Sequence, residues 1–321
     1  MLFWTLFAVF AAGVVFLTFF KISPHQSTTT YIRAQHRRML FIEALNGVWG
    51  VVGVLLIAGY LFGADALEWL GSHMGLLFIG LPLAALMRYF VVTKSLGRYL
   101  EISLNTTVTN KLYAISDDSF LHDQIKRLSE KAGIVTPHLR CKINSNLNAY
   151  AIALKSNGLI IVTSELLRTM NQRELEAILA HEMGHIKHNH ALGKLRFDVV
   201  KTAVFIFGIV ATISAASVYG WFASVLAFFT AYVFYGFIFG ALVACFSRAM
   251  ERACDAESIA LTGSGYGLIR AFEDNFQDEP QSTWLEHKML RILATHPRYK
   301  KRVQALKALT LYRFQQGKFS A

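Results

Sequence analysis

Glu174-Leu175-Glu176-Ala177-Ile178-Leu179-Ala180-His181-Glu182-Met183-Gly184-His185 has the apolar spacing of a helix and ends in two histidines four residues apart. On a helix these histidines share one face about a turn apart. Both imidazoles can then reach a single Zn²⁺ at ~2.0–2.1 Å. Glu182 is placed to take a proton from water at that metal. Asn171 with Glu174 three residues on forms a capping box, so the helix begins here and is read from about Gln172 to His190. Leu175, Ile178, Leu179, Glu182 and Ile186 form its apolar stripe, which puts a carboxylate on a buried face. Such a placement is costly unless the group is used. The pattern points to a metal-dependent peptidase holding one Zn²⁺ per chain. It requires a third protein ligand, an open position and a substrate groove.

Around this motif the chain is greasy. Its 321 residues are 54% hydrophobic and 17% charged, with mean hydropathy +0.39. Leu2–Phe20, Ala44–Phe62, Thr202–Tyr219 and Trp221–Phe246 carry no charged side chain. Leu70–Met87 is a weaker run, with His73 near its start and Pro82 inside. Each is close to the ~20 residues a helix needs to cross a bilayer. The first run lacks the preceding basic residues of a cleaved signal and reads as an anchor with its N-terminus outside. Lys21, Arg33, Arg37 and Arg38 follow it, whereas the next loop carries Asp65 and Glu68. The basic loop is therefore expected on the cytoplasmic side.

A domain plan follows. Residues 1–93 form an N-terminal membrane region of about three transmembrane helices, and 94–198 the first catalytic part. Residues 199–246 form a transmembrane hairpin, and 247–321 the second catalytic part. Both polar parts come out cytoplasmic. The expected fold is mainly α with a small antiparallel β-sheet. Residues 117–132 read as a helix, Leu139–Ile143, Tyr150–Leu154 and Leu159–Val162 as strands, and Ser164–Thr169 as a short helix. Asn157-Gly158 has the signature of a hairpin turn. Gly263-Ser264-Gly265-Tyr266-Gly267 reads as a flexible loop, and Asp278-Glu279-Pro280 as another.

Net charge is +11, and the C-terminal segment is rich in Lys and Arg. Without interleaved aromatics or a binding motif, this suits anionic lipid head groups rather than nucleic acid. The three cysteines, Cys141, Cys245 and Cys254, match no zinc knuckle or redox pair. They read as free thiols, with Cys254 in packing. Beyond the last apolar run, Glu251 and Asp255 are four apart on a helix. Glu251 can ligate the metal, and Asp255 can accept a hydrogen bond from the far nitrogen of a ligand histidine, foremost His181. His188 and His190 are competing ligands at this point.

Taken together, these motifs resemble the HtpX-type membrane zinc metalloproteases and the related CAAX prenyl proteases. The likeness rests on Asn148-Ala149-Tyr150, the Glu174–His185 run, Ser247-Arg248 with Glu251 and Asp255, and His296-Pro297 followed by Arg302. It runs from about residue 100 to 310. It implies a zincin-like gluzincin domain. His181, His185 and Glu251 would hold zinc, Glu182 would be the base, and Asp255 and Arg302 would support the ligands. Asn148, Ala149 and Tyr150 would line a substrate strand, and His296 would stabilise the charged intermediate. The implied activity is zinc-dependent endopeptidase cleavage of unfolded or membrane proteins on the cytoplasmic side, in membrane protein quality control. The chain departs from the family in having Cys254 where alanine usually stands, and three apolar runs before the catalytic part instead of two. Two other readings share the motif: an intramembrane zinc protease, and a non-catalytic membrane metal-binding protein.

Overall fold

The computed structural model describes residues 112–115, 119–154, 157–195, 220–276 and 297–315, together with 27, 29–34, 37, 90, 94, 108–109, 197–198 and 201. The apolar runs 2–20, 44–62, 70–87 and 202–219, the loop at 278–280 and His296 lie outside these residues.

The described elements are β1 (Val108–Thr109), β2 (Leu112–Ala114), α1 (Phe120–Ala132), β3 (His138–Lys142), β4 (Ala149–Leu154), β5 (Asn157–Thr163), α2 (Ser164–Thr169), α3 (Gln172–Lys187), α4 (Trp221–Thr262), α5 (Tyr266–Asn275) and α6 (Tyr299–Gln315). Helix dominates, and the sheet runs in the order β1-β2-β3-β5-β4. The sheet is mixed rather than antiparallel: β3 pairs parallel with β5, with Arg140 opposite Ile161. The cause is the β4–β5 hairpin. β4 goes to the far edge of the sheet, and β5 returns between it and β3. Thus β4 is an edge strand.

Two turn assignments shift. Leu154 pairs with Asn157 and Ala153 with Gly158, so Asn157 and Gly158 belong to β5 instead of forming the hairpin turn. Gly158 is needed for packing, since a Cβ there would sit 3.0 Å from Ile186 Cδ1. The glycine-rich segment at 263–267 is no flexible loop. Gly263, at φ +87°, closes α4 with its N–H on the Ile259 carbonyl, and α5 begins three residues later. Gly267 lies against α3, where a Cβ would meet the Arg173 carbonyl oxygen at 2.5 Å.

α3 is built from its first residue. Asn171 Oδ1 accepts from the N–H groups of Arg173 at 3.0 Å and Glu174 at 3.1 Å, and Glu174 Oε2 accepts from the Asn171 N–H at 3.1 Å. Three otherwise orphaned donors are satisfied. Asn171→Ala should therefore lower stability by about 1 kcal/mol, read as a lower melting temperature. An unchanged melting temperature would mean that the cap is redundant. Leu175, Ile178, Leu179, Met183 and Ile186 then pack into the core with Ile160 and Val162 of β5. At ~1.5–3 kcal/mol per fully buried aliphatic side chain, this face outweighs the cap in holding α3 on the sheet.

α4 spans 42 residues and changes character along its length. Its C-terminal half is buried through Met250, Ala253, Cys254, Ala256 and Ile259. Its N-terminal half exposes Trp221, Phe222, Val225, Leu226, Phe229 and Val233, with Phe222 85% exposed. Among the described residues no helix is long and apolar enough to cross a membrane; several α4 side chains between 227 and 238 fall outside that description. α6 closes the fold by burying Val303, Leu306 and Leu309 in the main core.

Candidate metal centre

Three elements meet at the site. α3 contributes His181, Glu182 and His185, α4 contributes Glu251 and Asp255, and α6 contributes Arg302. Glycine permits the meeting of α3 with α4. A Cβ on Gly184 would lie 3.1 Å from both Cys254 Cα and Cys254 Sγ, tighter than ordinary contact. The same interface is pinned by Ser258 Oγ, which donates to the Ala177 carbonyl at 2.7 Å.

His181 Nε2 lies 3.5 Å from Glu251 Oε2, and His185 Nε2 lies 3.7 Å from Glu251 Oε1. One donor atom from each of the three residues falls within 4.8 Å of the others. Ligands ~2.0–2.1 Å from a tetrahedral ion stand ~3.3–3.4 Å apart. The two histidine–carboxylate separations are within a few tenths of an ångström of that spacing, and two imidazoles with one carboxylate suit zinc chemically. These residues fit the ion.

The support beneath them is dense. His181 Nδ1 is 3.0 Å from Asp255 Oδ1, so the imidazole donates its far N–H to a carboxylate and turns Nε2 toward Glu251. Arg302 grips Asp255 with both arms of its fork, Nε donating to Oδ2 at 2.9 Å and Nη2 to Oδ1 at 2.6 Å. Its Nη1 is 3.3 Å from Glu251 Oε2, and its guanidinium lies 4.3 Å from the Phe272 ring centroid. All four charged groups are nearly inaccessible.

Burial and charge divide the titrating groups. Burial pushes His181 down, but its hydrogen bonds to Asp255 and Glu251 outweigh this and raise it to about 9. Burial, with the charge on His181, drives His185 down to about 3. Burial lifts Glu182 to about 6, against the pull of His181 and of a hydrogen bond from the Ala151 backbone. Burial also opposes ionisation of Asp255, yet the Arg302 charge and the bond to His181 hold it below the usual carboxylate range.

The cavity in front of Glu182 has a volume of about 360 Å³. β4 and its approach form one wall through Asn148, Ala149, Tyr150 and Ala151, and Phe272, Phe276 and Tyr299 form an aromatic wall. The Ala151 backbone bond to Glu182 places the outer edge of β4 beside that carboxylate. Asn148 is partly committed to the fold, its carbonyl accepting from the Thr163 N–H at 3.0 Å.

The competing histidines go elsewhere. α3 stops at Lys187, not His190, because Asn189 takes a left-handed φ of 50°. His188 turns to Glu257, its Nε2 3.1 Å from Oε2. His190 folds back onto His185, with their Nδ1 atoms 3.0 Å apart. Neither joins the group around Glu251. Lys194, which the motif gives no means of finding, also lines the cavity.

The sequence pattern of Peptidase family M48 matches residues 116–310, a span that contains every group just described. Among curated proteins, Protease HtpX of Shewanella baltica is 28% identical over 216 residues, covering 60% of this chain and 75% of that protein. Protease HtpX of Shewanella loihica is 29% identical over 214 residues, covering 60% and 74%. Among solved structures, the crystal structure of S. mikatae Ste24p is similar at a TM-score of 0.48 and 19% identity, covering 83% of this chain and 64% of that one.

Proposed function

This chain belongs to peptidase family M48, a family of metalloproteases, and on that footing we propose that it is a zinc-dependent endopeptidase acting through His181, His185, Glu251 and Glu182. One observation carries the reading: two imidazoles and a carboxylate bring one donor atom each within 4.8 Å of one another, beside a buried carboxylate that opens on a cavity.

His181, His185 and Glu251 would hold the ion. When bound, zinc acts as a Lewis acid toward a peptide carbonyl and makes water a far stronger acid, lowering its pKa from ~15.7 toward ~7. Glu182 takes the proton from water as its oxygen bonds to the carbonyl carbon. It returns that proton to the nitrogen as the carbon–nitrogen bond breaks. A carboxyl lifted to about 6 suits both halves of this task near neutral pH. Asp255 keeps His181 in the tautomer that leaves Nε2 available, and Arg302 keeps Asp255 ionised. The substrate lies extended along β4, pairing with its outer edge near Ala149 and Tyr150, which sets the register of the scissile bond. His296 is kept as the oxyanion donor that the family resemblance suggests.

The proposal extends to place and partners. The uncharged sequence runs and the exposed apolar side chains of α4 support a multi-pass membrane protein, with the bacterial inner membrane as its setting. Its basic loops favour a cytoplasmic catalytic domain. Unfolded or unassembled membrane proteins are then the substrates, in quality control.

The test uses the purified full chain in detergent with an unfolded protein substrate. A strong chelator should abolish cleavage, and Zn²⁺ should restore it where Mg²⁺ does not. Cleavage that survives complete metal removal would overturn the proposal. Failure to cleave any unfolded substrate with zinc present would favour the non-catalytic metal-binding reading.

A further inference from the structure

We propose that His185, His190 and Cys254 form a second metal site, behind the first, for a thiophilic divalent ion such as Zn²⁺. The three residues offer one donor atom each within 4.8 Å of one another. His185 Nδ1 and His190 Nδ1 are 3.0 Å apart, and Cys254 Sγ is 3.5 Å from His190 Nδ1. With zinc–nitrogen bonds of ~2.0–2.1 Å and zinc–sulfur bonds of ~2.3 Å, a tetrahedral ion needs ~3.3–3.4 Å between nitrogens and ~3.5 Å between nitrogen and sulfur. Cys254 Sγ already stands at that spacing from His190 Nδ1, and the two nitrogens need to part by only a few tenths of an ångström.

Two features of the fold assemble this trio. The left-handed Asn189 turns the chain back after α3, which brings the His190 ring to 5.0 Å from that of His185. The close approach of α4 at Gly184 delivers Cys254. His190 and Cys254 are both buried, at 4% and 0% exposure. Beside them lies a cavity of about 110 Å³ lined by Ala151, Ala153, His185, His190 and Lys194, which supplies an entry path and room for a fourth, water ligand. A mixed nitrogen and sulfur set selects zinc-like ions over Mg²⁺ or Ca²⁺.

The two sites share one ring. The proposal rests on the reading above for the Nε2 side of His185, which faces Glu251. The second ion takes the Nδ1 side, replacing the proton that bridges the two rings. That proton and the Cys254 thiol proton pass to solvent, leaving an imidazolate and a thiolate on the metal. An imidazole that serves two cations serves each less well, so the sites are negatively coupled and the second is the weaker.

The full chain in detergent, loaded with one equivalent of Zn²⁺, is dialysed against rising Zn²⁺. A second equivalent should bind, roughly tenfold or more weakly than the first. Cys254→Ser and His190→Asn should each stop at one. With Co²⁺ as the probe, the unaltered chain should show thiolate-to-metal charge-transfer absorption that both variants lack. Glu251→Gln should keep that absorption while losing the first ion, which separates failure of this proposal from failure of the peptidase reading. Saturation at one ion per chain, or thiolate absorption that survives Cys254→Ser, overturns the proposal. Should the variants fail to fold, absence of that absorption in the unaltered chain at two equivalents of Co²⁺ overturns it equally.

Discussion

Glu182→Gln is expected to lower peptide hydrolysis about 10²–10⁴-fold, the range a positioned general base contributes, while leaving zinc content unchanged. Glutamine has nearly the same shape and can still accept from the Ala151 backbone, so the cavity wall persists. What disappears is the ability to hold a proton between attack and departure. Glu182 is not among the three donors that converge on one another, so the ion should stay. The comparison is made on purified protein, with turnover and metal content measured on the same sample. Equal turnover in the two proteins would remove Glu182 from the mechanism. Loss of zinc together with turnover would make it a ligand.

Arg302→Met is expected to destabilise the protein by about 3–5 kcal/mol, the cost of leaving one member of a buried ion pair without its partner. Arg302 makes two hydrogen bonds to Asp255, at 2.9 and 2.6 Å, and lies 3.3 Å from Glu251. Its removal leaves two adjacent buried carboxylates facing each other with His181 as their remaining cation. Methionine roughly retains the length of the apolar stem, so the loss reports the guanidinium, with its bonds to Asp255 and its place over the Phe272 ring. Denaturant unfolding measures it. Arg302→Lys should recover only part of the stability, since an ammonium cannot reproduce the two-pronged bond. A change below about 1 kcal/mol for Arg302→Met would show that solvent reaches Asp255 and screens it.

Features that depend only on neighbouring residues are the most legible in the sequence. The start of α3 follows from Asn171 and Glu174, which cap the backbone they belong to. Glu251 and Asp255 share a face because helical spacing puts them there, and the structure brings that face to His181. The parallel pairing of β3 with β5 could not be read, because five-residue strands carry no mark of which neighbour they will choose. The grip of Arg302 on Asp255 joins residues 47 apart, and no local pattern announces it. His188 and His190 compete as ligands in the sequence, but the helix ends where Asn189 leaves it, and the two rings turn to Glu257 and to His185. Gly158 misled because Asn-Gly marks turns so well; here the glycine answers instead to Ile186 from α3.

Metal content after dialysis against metal-free buffer, which keeps only the tightly held ion, tests the central claim most directly. Wild type and His188→Ala should each retain one zinc per chain, and Glu251→Ala should lose it while remaining folded. Retention of zinc by Glu251→Ala, or its loss from His188→Ala, would contradict the ligand set on which this account stands.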